Sequence, residues 1–245
     1  LVEGTADRVA VMKDGVIVEE GSTADVLENP QHEYTKKLLG YLNYSRNKGH
    51  DHRSEPERTV PLVEVRHLHK TYAADRKKRR TVIDDMSFVI NRGEIIGVVG
   101  RSGCGKSTLS RCLTGLESYD SGEIIIKDGT QIQMIFQDTG SSFNDRMTIE
   151  EIIAEPLMIK GGRKGNRGSR KSEARALVHD VMAAVELDSS LKDRRPYELS
   201  GGQRQRAAIA RALITAPDLI IADEPLTGLD VTAQAQIVHL FRKLS

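Results

Sequence analysis

Ile95-Ile96-Gly97-Val98-Val99-Gly100-Arg101-Ser102-Gly103-Cys104-Gly105-Lys106-Ser107-Thr108 is the stretch whose reading decides the fold. Ile95 to Val99 is a continuous apolar run, the composition of a buried central strand. It delivers Gly100 to Ser107, a GxxxxGKS sequence, and then the opening of a helix, the context a phosphate-binding loop requires. Glycines let such a loop curl until successive backbone N–H groups point inward, and the helix N-terminus adds partial positive charge. Lys106 is placed to bridge terminal phosphates, and the Ser107 hydroxyl to ligate Mg²⁺. A glycine-rich turn with no ligand is the bland alternative; strand, loop, lysine and helix in that order argue against it.

Downstream, Leu219-Ile220-Ile221-Ala222-Asp223-Glu224 reads as a second buried strand that delivers two acids at its carboxyl end, where ligands sit in open α/β sheets. Asp223 is placed to hold Mg²⁺ through water and Glu224 to polarise an attacking water. Between the two strands lies Leu199-Ser200-Gly201-Gly202-Gln203, ahead of a helix expected over 203–216. Ser200 reads as a helix cap, and the glycine amides suit an anion as well. A GxSxG elbow is absent, so Ser200 is not a hydrolase nucleophile.

The flanking pattern is that of an α/β layered domain. Val63 and Val65 alternate with polar residues, as do Met86, Phe88 and Ile90, giving two half-buried strands. A helix from Ser172 is expected to bury Leu177, Val178, Val181, Met182 and Val185 on one face. Another is expected over 233–244. At the start, residues 8–21 read as a hairpin with Asp14-Gly15 at its turn, followed by a short helix capped by Ser22 or Thr23 and ended by Asn29-Pro30. One or two further helical turns are expected over 34–39. Residues 43–60 are almost wholly polar and read as a linker.

Bulk properties exclude several classes. Hydrophobic residues are 38% and charged residues 29% of the chain, ordinary for a globular protein, and a net charge of +1 gives no argument for a nucleic-acid partner. Cys104 and Cys112 lack CxxC spacing, so neither a disulfide framework nor a zinc site is indicated. No apolar run approaches the ~20 residues that span a bilayer. Two basic stretches, 76–80 and 160–171, lack interleaved aromatics and read as solvated loops rather than as lipid or nucleic-acid contacts. His50-Asp51-His52, in the linker, reads as a solvated run rather than a metal site.

These residues together resemble the ABC ATPases. Leu199 to Gln203 resembles the family's signature sequence. Tyr72, in Lys70-Thr71-Tyr72, resembles the aromatic that stacks on adenine, and Gln137, in Phe136-Gln137-Asp138, the glutamine that senses Mg²⁺ and couples to the transporter. Leu229-Asp230 resembles the loop that pairs two domains. The resemblance covers about 62–245. It implies a P-loop NTPase fold with a RecA-like core, an antiparallel β-subdomain and an α-helical signature subdomain. It implies ATP and Mg²⁺ as cofactors. Gly100, Ser102, Gly103, Cys104, Gly105, Lys106, Ser107 and Thr108 would hold the phosphates, with Ser107, Gln137 and Asp223 at the metal and Glu224 and Gln137 catalytic. Ser200, Gly201, Gly202, Gln203 and Asp230 would close over the nucleotide of a second, head-to-tail domain.

Ser142-Phe143-Asn144-Asp145-Arg146-Met147-Thr148, with Ile152 to Leu157, is similar to the ATPases of peptide, dipeptide, nickel and glutathione importers. Asn29 to Leu39 is similar to the tail that closes such a domain, although Glu33 and Asp145 stand where relatives usually have proline. The resemblance implies an ATPase coupled to solute import at the cytoplasmic face of the membrane, with permease subunits and, indirectly, a solute-binding protein as partners. A soluble tandem protein acting on ribosomes or DNA is the rival from another class; its relatives usually carry a long charged helical linker, which 43–59 does not resemble.

Ala6 to Met12, with Asp14-Gly15, resembles a stretch that belongs at the end of such a domain, yet here it precedes the phosphate loop. The expected organisation is therefore 1–42 as the closing part of a preceding domain, 43–61 as linker and 62–245 as a second domain. A circular permutation, with 1–42 completing 62–245, is the alternative. The family's switch histidine, on a strand after the pairing loop, is not reached by Ser245, and His179-Asp180 reads as structural. The segment between Lys127-Asp128-Gly129 and Gln131 is shorter than the family pattern. A catalytically incomplete fragment that binds MgATP and hydrolyses it poorly is a third expectation.

Overall fold

The computed structural model describes residues 6–41, 61–75, 78–137, 142–160, 167–229 and 231–244. The linker (apart from Pro61), the 50–52 triplet, Asp138, Asp230 and parts of both basic stretches lie outside the described residues. The chain divides into two compact units, one up to Gly129 and one from Thr130 to Lys243.

In the first unit, β1 (Arg8–Lys13) and β2 (Val16–Ser22) form the expected hairpin. Asp14 and Gly15 both have positive φ, 48° and 90°, as a two-residue hairpin turn demands. A side chain at Gly15 would also meet the Val82 carbonyl oxygen at 2.5 Å. Ser22, rather than Thr23, caps α1 (Thr23–Glu28): its side chain accepts from the Asp25 amide at 3.1 Å. After α2 (Glu33–Tyr41), β3 (Pro61–Asp75) and β4 (Lys78–Asn91) form a long antiparallel pair. Val63, Val65 and Leu68 of β3, and Ile83, Met86 and Ile90 of β4, are buried. Next come β5 (Ile96–Val99), α3 (Lys106–Leu113) and β6 (Ser121–Ile126). β6 joins β3 to make the antiparallel sheet β4-β3-β6.

β5 lies parallel to β1, from Arg8↔Ile96 to Val11↔Val99, in the sheet β2-β1-β5. The hairpin is thus built onto the phosphate-loop strand. Val9, Val11 and Val26 form a buried cluster against which Val18, Tyr34, Leu38 and Val99 pack. Among the described residues β5 has a strand on one edge only, and its four residues are half-buried rather than fully buried as their composition predicts.

The second unit holds β7 (Ile132–Ile135), α4 (Ile149–Lys160), α5 (Arg167–Ala184), α6 (Gly201–Leu213), β8 (Leu219–Ala222) and α7 (Val231–Leu244). β7 and β8 run parallel, Ile135 opposite Ala222. β8, like β5, has one partner among the described residues; Leu219, Ile220 and Ile221 are half-buried and Ala222 exposed, where the sequence predicts full burial. Ile149, Ile152 and Ile153 of α4, Ile209 of α6, and Ile237 and Leu240 of α7 are buried. Each such side chain stabilises by about 1.5–3 kcal/mol. The buried face of α5 is Ala174, Val178 and Met182, continued by Val185, whereas Leu177 is 44% exposed. One residue is ~100° around a helix, so Leu177 falls off the stripe its neighbours define.

Candidate functional site

The phosphate loop of the first unit is shaped by contacts that only glycine tolerates. A side chain at Gly100 would meet the Met12 carbonyl oxygen at 2.4 Å, and one at Gly105 the Val82 carbonyl oxygen at 2.6 Å. Gly103 and Gly105 have φ of 79° and 111°, a region that side chains disfavour. Gly105 caps α3, whose first turn carries no acid. Lys106 opens the helix and folds back over the loop, donating from Nζ to the carbonyl oxygens of Gly100 at 2.9 Å and Arg101 at 3.2 Å. Ser102 and Gly103 are exposed, Cys104 is buried, and Ser107 and Thr108 are half-buried on the first turn. First-turn amides of a helix have no intrahelical acceptor and suit an anion. Tyr72 lies on β3, half-buried, with the Lys70 ammonium 4.9 Å from its ring centroid.

The second unit brings three other site residues together at the ends of its paired strands. Asp223 follows β8, is 6% exposed, and donates its amide to the Ile135 carbonyl at 2.9 Å. Gln137, two residues beyond β7, donates from Nε2 to Glu224 Oε2 at 2.8 Å. Thr227 Oγ1 donates to the same carboxylate oxygen at 3.2 Å. Glu224 has φ +48°, a left-handed conformation that costs a side-chain residue of order 1–3 kcal/mol and persists where the surroundings hold it. The spacing of the motifs predicts the Gln137–Glu224 pair only as membership of one site; Thr227 carries no signal of its own in the sequence.

Ser200 caps α6 reciprocally. Its hydroxyl accepts from the Gln203 amide at 3.3 Å, and Gln203 Oε1 accepts from the Ser200 amide at 2.9 Å. Ser200, Gly202, Arg206, Gly228, Leu229 and Gln236 line one cavity of this unit. A side chain at Gly201 would meet Leu229 Cδ2 at 3.3 Å, and one at Gly202 the Ala233 Cβ at 3.4 Å. Arg206, 8% exposed, donates to the Val185 carbonyl at 2.6 Å and to Gln236 at 3.2 Å, tying α6 to the end of α5 and to α7. Asp230, expected from the sequence to face a partner domain, lies outside the described residues. His179 and Asp180 are exposed on α5.

Residues 83–227, more than half of the chain, match the family described as ABC transporter. The chain is 41% identical over 201 residues to the oligopeptide transport ATP-binding protein OppF of Bacillus subtilis, covering 76% of this chain and 64% of OppF. It is 37% identical over 265 aligned residues to the uncharacterized ABC transporter ATP-binding protein YejF of Escherichia coli, covering 100% of this chain and 48% of YejF. The chain therefore spans less than two thirds of the first of these relatives and about half of the second. Among solved structures it is similar to the bacterial ABC transporter cassette MJ0796, with a TM-score of 0.64, 29% identity, and coverage of 75% of this chain and 82% of that one. MJ0796 has been solved as a dimer and in a post-hydrolysis state bound to ADP and Pi. The motifs, the two units and these likenesses agree, and the chain belongs to the ABC transporter family.

Proposed function

We propose that this chain binds MgATP and hydrolyses it to energise a membrane importer of peptides or similar small solutes. The observation that carries the reading is the phosphate loop, a glycine turn with Lys106 folded over it at the start of α3. Gly100 to Thr108 would wrap the phosphates and Tyr72 would stack on adenine. Ser107, Gln137 and Asp223 offer hydroxyl, amide and carboxylate oxygens, the hard donors that Mg²⁺ takes. Gln137 fits that role because its contact with Glu224 uses Nε2 and leaves its amide oxygen as an acceptor. Mg²⁺, when bound, would neutralise charge on the phosphates. Glu224 would polarise the attacking water, with Gln137 and Thr227 orienting its carboxylate.

Ser200, Gly201, Gly202, Gln203 and Asp230 are assigned to the nucleotide of a second ATPase domain. The dimer formed by the MJ0796 cassette supports this, and the name of OppF supports peptide import. No helix among the described residues is long and apolar enough to cross a membrane. On this reading the permease and the solute-binding protein are other chains, and this one sits peripherally at the cytoplasmic face.

The same reading takes 1–42 as the closing part of a preceding cassette, 43–61 as linker and 62–245 as a second cassette. The alignment with YejF across the full chain supports this order as one shared with a relative. The β1–β5 pairing is what the permutation alternative requires, and it also fits a tandem chain in which such a tail matches a phosphate-loop strand.

MgATP affinity of Lys106→Ala tests the core of the proposal; the variant is expected to lose binding, and unchanged affinity removes it. Crosslinks from Ser141 to Arg146 test the partner. Recovery of a membrane permease chain supports import, whereas recovery of ribosomal or nucleic-acid components alone favours the soluble rival.

A further inference from the structure

Beneath Tyr72 lies a buried charge that the nucleotide reading does not use. Lys70 and Tyr72 are two residues apart on β3 and so project to one face. Lys70 is 6% exposed, and its Nζ sits 3.0 Å from Glu117 Oε1 as well as 4.9 Å from the Tyr72 ring centroid. Contact with Glu117 raises the Lys70 pKa above its ordinary value, so the ammonium stays charged despite its burial. Tyr72 is half-buried. The cation thus lies over one face of its ring, and part of the residue stays accessible to solvent.

A second set of contacts fastens the same segment. Asp120 Oδ2 accepts from the Thr71 amide at 2.6 Å and from the Thr71 hydroxyl at 2.7 Å, and the Asp120 amide donates to the His69 carbonyl at 2.8 Å. The Arg79 guanidinium lies 4.0 Å from the other Asp120 oxygen. Residues 69–72 are thus strapped to 117–120, the chain leaving α3, the helix whose first residue is Lys106.

We propose that Lys70, held by Glu117, is a positioning residue for nucleotide binding that fixes the Tyr72 ring and leaves its outer face as the stacking surface for a purine base. A cation on one face draws the ring's electron density towards itself and makes the opposite face a better acceptor for an electron-rich purine. A ring ordered in advance also lowers the cost of ordering it on binding. The purely structural alternative is a buried ion pair that only straps β3 to the end of α3. The inference rests on the assignment of Tyr72 to adenine and of the 100–107 loop to phosphates.

Two probes separate these possibilities: MgATP, and magnesium tripolyphosphate, which carries the phosphates without a base. Lys70→Met keeps the length of the side chain and removes its charge. It is expected to weaken MgATP about three- to tenfold, the range of a partly desolvated cation–π contact, and to leave tripolyphosphate affinity within about twofold. Lys70→Arg should restore MgATP affinity, since guanidinium also sits over aromatic faces. In a Tyr72→Leu background Lys70→Met should have no further effect. Unchanged MgATP affinity in Lys70→Met overturns the proposal, as does an equal loss with both probes, failure of the Arg variant to restore binding, or an undiminished effect without Tyr72. Wild-type protein that binds neither probe would instead refute the phosphate-loop reading. Wild-type MgATP binding that Tyr72→Leu leaves intact would refute the adenine assignment.

Discussion

Glu224 is held by three constraints at once: a left-handed backbone, the amide of Gln137 and the hydroxyl of Thr227. A carboxylate that must orient a water needs this kind of restraint, because misplacement of a reacting group is costly. Glu224→Gln keeps the size and the acceptor oxygen but removes the charge. Hydrolysis is expected to fall by about 10²–10³ while MgATP binding persists, read by steady-state turnover beside equilibrium binding. Equal turnover in wild type and variant would remove Glu224 from the chemistry. Thr227→Val should lower turnover by less than Glu224→Gln without changing the affinity for MgATP, and Thr227→Ser should return it. The acids and Gln137 were legible in the sequence because motif spacing reports membership of a site. The Thr227 and Glu117 contacts were not, because each depends on a local turn that brings together residues with no shared pattern. Lys70 was half legible: its two-residue offset from Tyr72 places both on one strand face, but not the carboxylate that keeps it charged.

At the scale of elements, the residue that caps α6 is also one proposed above to face a partner's nucleotide. Ser200 both caps the helix and heads the stretch assigned to a partner's nucleotide, and its hydroxyl, accepting from Gln203, retains a proton to donate. Two substitutions pull these roles apart. Ser200→Ala removes the cap and should cost about 0.5–2 kcal/mol in denaturant unfolding. Ser200→Asp keeps an equally good cap, so stability should change little, but it places a negative charge where a triphosphate would sit. MgATP-driven dimerisation of a Glu224→Gln background, followed by light scattering, should therefore fail with Ser200→Asp; persistence of the dimer would show that Ser200 does not face nucleotide. Element boundaries followed sequence signals where a cap or turn residue stood at them, as at Ser22, Asp14-Gly15 and Ser200. α5 is instructive in the other direction. Its apolar residues predicted a broad face, yet packing selected the 174, 178 and 182 stripe, because periodicity ranks candidate faces and neighbours choose among them.

Across the whole molecule, the apolar runs of β5 and β8 identified strands correctly and overstated their burial, since composition reports what a strand tolerates and not how many neighbours it has. The order of parts left open whether 1–42 closes a preceding domain or completes 62–245; the pairing itself is made by β1 with β5, while β2 pairs only with β1 in that sheet. That pairing has a functional consequence that can be measured. Met12 is fully buried at the end of β1, its carbonyl oxygen faces Gly100, and its methyl group would lie 2.8 Å from a side chain at Gly105. The two glycines that shape the loop are thus backed by one hairpin residue. Met12→Ala should destabilise the first unit by about 2–5 kcal/mol, the usual cost of a large-to-small change in a core. It should also weaken MgATP binding at temperatures where the variant remains folded, because the loop loses its backing. Val26→Ala provides the control: Val26 is 2% exposed and packs in the Val9–Val11 cluster of the same unit. Thermal unfolding of the control should also fall, by less because fewer methyl groups are lost, with MgATP affinity unchanged. Equal affinity in both variants would mean that the hairpin stabilises the sheet without shaping the loop. A loss of affinity confined to Met12→Ala would make Met12 part of the nucleotide site's construction through the two loop glycines it backs.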